Sequence, residues 1–329
     1  MKICLIGEYC SELDEAMRKV SFYLAKELSK KNEVLTLNIS DLLTFRFWKQ
    51  LRSFSPNILH YTHGPSDWSY IILKILSFYC PGSKTVISAM HPRFSGISKK
   101  IIRLFKPNIV LTQSSKTKHF FSELDCKTIF FPVGIDLHEF KPILNDEKKS
   151  LRKKYNLSEN KFILLHIGSI KSKRNIQLLK HFQNDDNLVL IVGAVSTGIE
   201  DVILRELLSS GCVVFSEYIE HIYEIYNLSD CYIFPTDPKN KLNSIEIPLS
   251  VLEAMACNLP VISTKFGALT QIFKECDGLF FVDTNDDSRI YEALNIIKSG
   301  LMVDTRSKVL QYSWNNIINK LVKIYTSLN

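Results

Sequence analysis

Several familiar signatures are missing from this sequence, and each absence removes a class of chemistry. The eight cysteines, at positions 4, 10, 80, 126, 212, 231, 257 and 276, form no C-x-x-C pair and no metal-finger spacing. That pattern argues against a structural metal or a dithiol redox site. Most of them lie inside apolar runs, so buried, reduced thiols in a cytoplasmic protein are the expectation. The longest apolar stretch, 71–79, is interrupted by Lys74 and is too short to cross a bilayer. MKICLIGEYC passes directly into a β-like run, with no apolar core of signal-peptide length. Neither half opens with G-x-G-x-x-G after its first strand, which counts against a nicotinamide dehydrogenase. There is no internal repeat, no low-complexity tract and no nucleic-acid recognition module, so no nucleic-acid partner is expected.

What is present is a globular composition, 46% hydrophobic and 23% charged over 329 residues. That length accommodates two α/β domains, each with its own core. The net charge of +7, from 41 Lys and Arg against 34 Asp and Glu, is modest. It suits phosphates or acidic lipid headgroups as partners and equally suits ordinary solubility.

Short apolar runs alternate with amphipathic segments from end to end. The runs 2–7, 33–39, 57–62, 84–90, 108–113 and 127–133 read as strands. The clearest helical pattern between them is 12–30, where Leu13, Met17, Val20, Phe22, Leu24 and Leu28 recur near helical spacing. A charged stretch, 145–161, carries no strand signal and reads as a linker with a short helix. A second series of strands follows at 162–168, 187–193, 212–218, 231–235, 260–264 and 278–282. The expected architecture is therefore α/β, with two facing, doubly wound parallel-sheet domains and a cleft between them. Residues 1–144 form the first domain in this reading and residues 162–312 the second. Residues 313–329 form an amphipathic helix packed across the junction.

Two blocks carry the chemistry. In 243–267, NSIEIPLSVLEAMACNLPVISTKFG, Pro248 suits the first position of a helix. The backbone N–H groups of Leu249 and Ser250 then make an anion-friendly first turn. Glu246 lies in the entry loop and Glu253 within the helix; a carboxylate there can accept two hydrogen bonds from a vicinal diol. Solvated surface glutamates are the plain alternative, though the apolar setting of Glu253 argues against it. In 164–179, LLHIGSIKSKRNIQLL, Gly168 ends a strand, and Lys171, Lys173 and Arg174 follow just before a helix. Cations so placed stabilise a diphosphate leaving group, and an arginine can hold two phosphate oxygens at once.

These blocks resemble the signature of retaining glycosyltransferase family 4, whose fold is the GT-B pair of Rossmann-like domains. Glu253-Ala254-Met255-Ala256, Pro260-Val261-Ile262 and Gly267 match its E-A-M-A-x-G-x-P-V-I run. FFPVGIDLHEFKP (130–142), the 164–179 loop and YEIYNLSDCYIFPT (223–236) resemble three further family blocks, in order. The resemblance implies a metal-independent retaining hexosyltransferase that needs no cofactor beyond its nucleotide-sugar donor and acts on a glycan or lipid-linked acceptor in polysaccharide biosynthesis. It assigns Glu246 and His91 to the reacting sugar. Arg174 and Lys173 go to the diphosphate beside Gly168, Glu253 to the ribose, and the Leu249 and Ser250 N–H groups to the sugar or distal phosphate. His60 and His63 are weaker candidates for the acceptor side. The chain has no Asp-x-Asp triplet, in keeping with a metal-free site.

Three positions depart from the family pattern. Ile245 stands where the first glutamate is expected, with Glu246 one residue late; Ser169 replaces an arginine; Glu15-Ala16 replace a Gly-Gly pair. They motivate an alternative, a catalytically silent binding protein that supports another transferase. A sugar-nucleotide epimerase fits the E-A-M-A block less well. Finally, FRFWKQLRSF (45–54) and IIRLFK (101–106) mix aromatic, aliphatic and basic residues. They read equally as interfacial helices, peripheral at the inner face of a membrane, or as core helices with snorkelling cations.

Overall fold

The computed structural model describes residues 1–10, 12–13, 15–239, 245–284 and 286–328. The chain divides into two compact units, Met1–Gly134 with Ser244–Ile247 and Trp314–Asn329, and Ile135–Asn243 with Pro248–Ser313. The change of unit after Gly134 comes before the charged stretch and not within it. Residues 145–154 are a helix of the second unit, anchored there because the buried Arg152 pairs with Asp230 at 2.5 Å.

The first unit runs β1 (Lys2–Gly7), α1 (Ala16–Leu28), β2 (Glu33–Asn38), α2 (Phe45–Phe54), β3 (Ile58–Tyr61), α3 (Asp67–Tyr79), β4 (Lys84–Ala89), α4 (Ser98–Leu104), β5 (Ile109–Thr112), α5 (Ser115–Ser122) and β6 (Thr128–Phe130). Its six strands are parallel in the order β2-β1-β3-β4-β5-β6. Alternate strand residues point to opposite faces. Cys4, Ile6, Leu59, Tyr61, Ile87 and Val110 meet apolar side chains of α2, α3, α4 and α5 on one face.

The second unit runs α6 (Asn145–Lys154), β7 (Phe162–Gly168), β8 (Asn187–Gly193), α7 (Asp201–Ser209), β9 (Val213–Phe215), α8 (Ile222–Leu228), β10 (Cys231–Phe234), α9 (Leu249–Ala256), β11 (Val261–Thr264), α10 (Leu269–Ile272), β12 (Leu279–Val282), α11 (Asp287–Lys298) and α12 (Arg306–Val309). Its parallel sheet has the order β12-β11-β10-β7-β8-β9, the arrangement in which strand order reverses between β10 and β7. A helix was expected after Arg174, but Ser172–Arg174 and Ile176–Phe182 are 3-10 turns. Asn175, in the left-handed region at φ 57°, separates them and stops a single α-helix from forming.

The chain ends in α13 (Trp314–Thr326), which belongs to the first unit and packs on α1. The Trp314 indole stacks on Tyr23 (5.5 Å, 15°) and covers Gly134, where a Cβ would meet the ring at 2.4 Å. All eight cysteines are free and six are buried, while Cys10 is exposed.

Candidate functional site

In an open α/β sheet, ligands bind beyond the carboxyl ends of the strands where the order reverses. In the second unit that place is the end of β7 and β10, formed by Gly168 with its following loop and by Pro235-Thr236. Asn175 Nδ2 bridges the two sides, donating to the Pro235 carbonyl at 3.4 Å. Glu200 holds the loop's entrance by accepting from the Ser172 N–H at 3.0 Å, and the Ser169 hydroxyl accepts from Thr197 at 2.9 Å. Ser172 and the lysines at 171 and 173 draw the Glu200 carboxyl below its usual range.

Arg174 is the centre of this cluster. Burial pulls its pKa below the ordinary guanidinium value, and its buried Nη1 has no hydrogen-bond partner among the described residues. Beneath it lies His166, wholly buried on β7. Its Nδ1 is 2.9 Å from the Ile233 carbonyl. A carbonyl only accepts, so Nδ1 carries the proton and Nε2 presents a lone pair. That Nε2 is also buried and has no partner among the described residues. Desolvation lowers the His166 pKa to about 4, against the pull of the Ile233 carbonyl and with a push from Arg174, so the ring is neutral at physiological pH. A Cβ at Gly168 would sit 3.2 Å from Nε2, and the glycine leaves that approach open. Thr236 Oγ1 is a third buried polar atom without a partner among the described residues. Each such atom left unsatisfied costs about 1–3 kcal/mol, so three gathered at one loop cluster call for a polar ligand.

The helix α9 begins one residue later than expected. Pro248 is its N-cap, at ψ 115°, and Leu249 is the first helical residue. The Tyr232 hydroxyl bridges the Ile167 carbonyl (3.3 Å) and the Ser250 hydroxyl (2.7 Å), tying the first turn of α9 to the end of β7. Gly168, Arg174, His166 and Ser250 thus share one framework. Lys173 lies in the same loop, half-buried. Glu253 is 3% exposed, in keeping with the apolar setting read from its neighbours, and its Oε2 accepts from the Tyr226 hydroxyl at 2.7 Å. His166, Tyr226 and Tyr232 were not singled out from the sequence. The signal for His166 was available, as the single ionisable side chain in the apolar strand FILLHIG.

The remaining candidates lie in the first unit. Asn243 and Ser244, which open the motif block, fall outside the described residues. Glu246 is buried, and its carboxylate receives three hydrogen bonds at the start of α5: from the Gln113 N–H (3.2 Å), the Ser114 hydroxyl (2.6 Å) and the Thr117 hydroxyl. Burial raises its pKa, and these donors oppose the shift. A carboxylate there also complements the positive end of the helix dipole. Glu246→Ala should therefore lower unfolding stability by about 1–3 kcal/mol, read from the urea midpoint. An unchanged midpoint with a raised KM for the donor would instead give the carboxylate to a substrate.

His91 is half-buried after β4, and its N–H donates to the Gly64 carbonyl at 3.0 Å. His63 Nδ1 stands 3.9 Å from Glu8, which also pairs with Arg18. His60 requires a correction. It does not line an acceptor site, because it is 0% exposed with both ring nitrogens committed, Nδ1 to the Tyr325 hydroxyl (2.6 Å) and Nε2 to Ser88 Oγ (2.7 Å).

Comparison with known proteins bears on the second unit most directly. Residues 147–309 match the family model described as glycosyl transferases group 1. The D-inositol 3-phosphate glycosyltransferase of Geodermatophilus obscurus is 24% identical over 222 residues, covering 61% of this chain and 47% of that protein. The chain thus spans about half the length of that relative. An uncharacterised glycosyltransferase of Methanocaldococcus jannaschii is 22% identical over 337 residues, covering 93% of this chain and 80% of its own. Among solved structures, Anabaena HepE in complex with UDP-glucose superposes with a TM-score of 0.79 at 13% identity, covering 99% of this chain and 100% of that one. At that identity the likeness speaks for the fold, and it extends over both units. Residues 147–309 thus match the model of the group 1 glycosyl transferases, on a chain whose fold is the GT-B pair of Rossmann-like sheets.

Proposed function

We propose that the chain transfers a hexosyl group from a nucleoside diphosphate sugar to a glycan or lipid-linked acceptor, with retention of anomeric configuration. The observation that carries this reading is the pair of unpartnered buried atoms at the end of β7: a cationic donor on Arg174 and a neutral acceptor on His166. A sugar diphosphate brings phosphate oxygens for the guanidinium and a hydroxyl hydrogen for Nε2 in one molecule. The group 1 family match and a relative crystallised with UDP-glucose support the same class of donor.

As the bond between the anomeric carbon and the diphosphate oxygen breaks, negative charge accumulates on the leaving group. Arg174 and the neighbouring Lys173 stand where that charge grows, so they favour the transition state over the ground state. The first turn of α9, with the Leu249 and Ser250 N–H groups, presents further positive potential. These groups supply the counter-charge without a metal ion or other cofactor. The acceptor hydroxyl attacks on the face the diphosphate leaves and gives its proton to the departing oxygen. Glu253 and its Tyr226 contact hold the ribose end, and His91 serves the reacting sugar, while Glu246 caps α5.

A thermal-shift panel of UDP, GDP and ADP and their hexose conjugates tests the donor class. A ligand at about 100 times its Kd stabilises by ~2.7 kcal/mol, a shift of a few degrees for a chain of this size. The expected result is a shift confined to one nucleotide and larger for its sugar conjugate, with turnover that persists in EDTA. No shift with any member of the panel refutes the donor site, and binding without turnover favours a silent partner of another transferase.

A further inference from the structure

The charge of this chain is distributed far less evenly than its net value suggests. Residues 42–122 carry twelve Lys and Arg against a single acid, Asp67, while the whole chain is only +7. Everything outside that segment is therefore net acidic. The one acid is itself occupied, accepting from the Ser95 hydroxyl at 2.5 Å and from the Ser98 hydroxyl. The segment contains α2, α3, α4 and α5, the helices that cover one face of the first unit's sheet.

The outer surface of those helices is also unusually apolar. Leu43 and Phe45 at the start of α2, Trp68 and Phe78 on α3, and Leu104 at the end of α4 are each at least 70% exposed. Amphipathic surface helices turn such residues inward. Here α3 is apolar on both sides: Tyr70, Leu73 and Leu76 enter the core, while Trp68, Ile75 and Phe78 stand in solvent at i, i+7 and i+10. The helices are laced together by Trp48 of α2 against Tyr79 of α3, with ring centroids 5.0 Å apart. Cations lie over the exposed rings, Lys74 at 4.8 Å from Phe78 and Arg52 at 5.9 Å from Tyr79. The result is a surface of apolar knobs ringed by basic side chains.

We propose that this face docks on the surface of an anionic lipid bilayer, with Phe45, Trp68, Phe78 and Leu104 entering the headgroup region and the lysines and arginines meeting acidic headgroups. Among the described residues no helix is long and apolar enough to cross a membrane, so the contact is peripheral. A second copy of the chain is a poor occupant, since symmetric pairing would set this basic surface against itself. Nucleic acid would meet the charge but would leave Leu43, Ile75 and Leu104 without a base to stack on. A bilayer satisfies both the charge and the aliphatic knobs.

The test is flotation of the full chain with vesicles of phosphatidylcholine alone or with 30% phosphatidylglycerol added, at low and high salt. We expect recovery with the anionic vesicles at low salt, little with neutral ones, and release as salt rises. Trp68 fluorescence should shift to the blue on binding, and the shift should vanish in Trp68→Phe. Each basic residue near an anionic surface is worth about fivefold in partition. Lys49→Glu with Arg103→Glu, both at exposed positions, should therefore weaken partition by more than about twentyfold at an unchanged Tm. Phe45→Ser with Phe78→Ser should abolish the salt-resistant fraction. Failure to float with anionic vesicles overturns the proposal, as does flotation that ignores vesicle charge and the Lys49 and Arg103 substitutions. Capture by polyglutamate or an oligonucleotide without any vesicle binding would give the face to an acidic macromolecule instead.

Discussion

Arg174→Ala should lower kcat/KM for the sugar nucleotide by about 10²–10³, the usual cost of removing one preorganised donor from a developing anion. The loss should fall chiefly on kcat, because the charge that Arg174 meets on the leaving diphosphate is larger in the transition state than in the bound ground state. Three features set Arg174 apart from the other cations of its loop. Burial lowers its pKa, and its Nη1 has no hydrogen-bond partner among the described residues. It also adjoins two rings of the β7 and β10 ends, lowering the pKa of His166 and acting against the raised pKa of Tyr232. Arg174→Lys keeps the charge but not the fork, so partial recovery is expected, with KM the more impaired. Equal loss in KM with kcat intact would mean that Arg174 only binds donor, and no loss would remove it from the site. The same substitution should leave the Tm of the unliganded protein unchanged or raised, since an uncompensated buried charge is deleted.

Parallel sheets are unusually open to this kind of reading, because strands buried on both faces appear as continuous apolar runs. Runs such as FILLHIG and NLVLIVG coincide with β7 and β8 to the residue. Where the runs overshot, as at 212–218 against Val213–Phe215, the pairing with β8 ends at Phe215 and the polar Ser216-Glu217 follow. The basic loop after Gly168 was equally legible, since it follows from strand order and charge. The partners of Glu246 were not, because the chain brings Gln113, Ser114 and Thr117 to it from about 130 positions away. Local spacing carries no trace of such contacts. Arg306 escaped notice for the same reason: its guanidinium serves the carbonyls of Leu137, Phe140 and Ala256, which lie 50 to 169 residues distant. The 3-10 turns after Arg174 were hidden by a backbone choice at Asn175, where asparagine tolerates the left-handed region but does not demand it.

His60 illustrates how far a residue's place in the chain can be from its role, and its removal should have the largest effect on stability. The ring joins the Ser88 hydroxyl of β4 to the Tyr325 hydroxyl of α13, so a contact spanning 265 residues fastens the terminal helix to the sheet. His60→Leu leaves two buried hydroxyls without partners, and each unsatisfied group costs about 1–3 kcal/mol. A loss of about 2–5 kcal/mol at pH 7 is expected, read from urea unfolding, and Tyr325→Phe should recover part of it by removing one orphan. The pH dependence identifies the imidazole itself. Burial lowers its pKa to about 3 in the folded protein, whereas an unfolded histidine titrates near ~6.5. Between those values the unfolded chain binds a proton that the folded one refuses. The stability linked to His60 is therefore fully present above about pH 6.5 and is lost as pH falls toward 3, by about 1.4 kcal/mol per pH unit. His166 adds a loss of the same sign down to about pH 4, while the raised carboxyls of Glu15 and Glu246 act in the opposite sense. Comparing wild type with His60→Leu cancels those shared contributions. The gap between the two proteins should narrow by about 2 kcal/mol from pH 7 to pH 5. Parallel stability curves over that range would show that the ring is not the buried neutral group that its two hydrogen bonds make it.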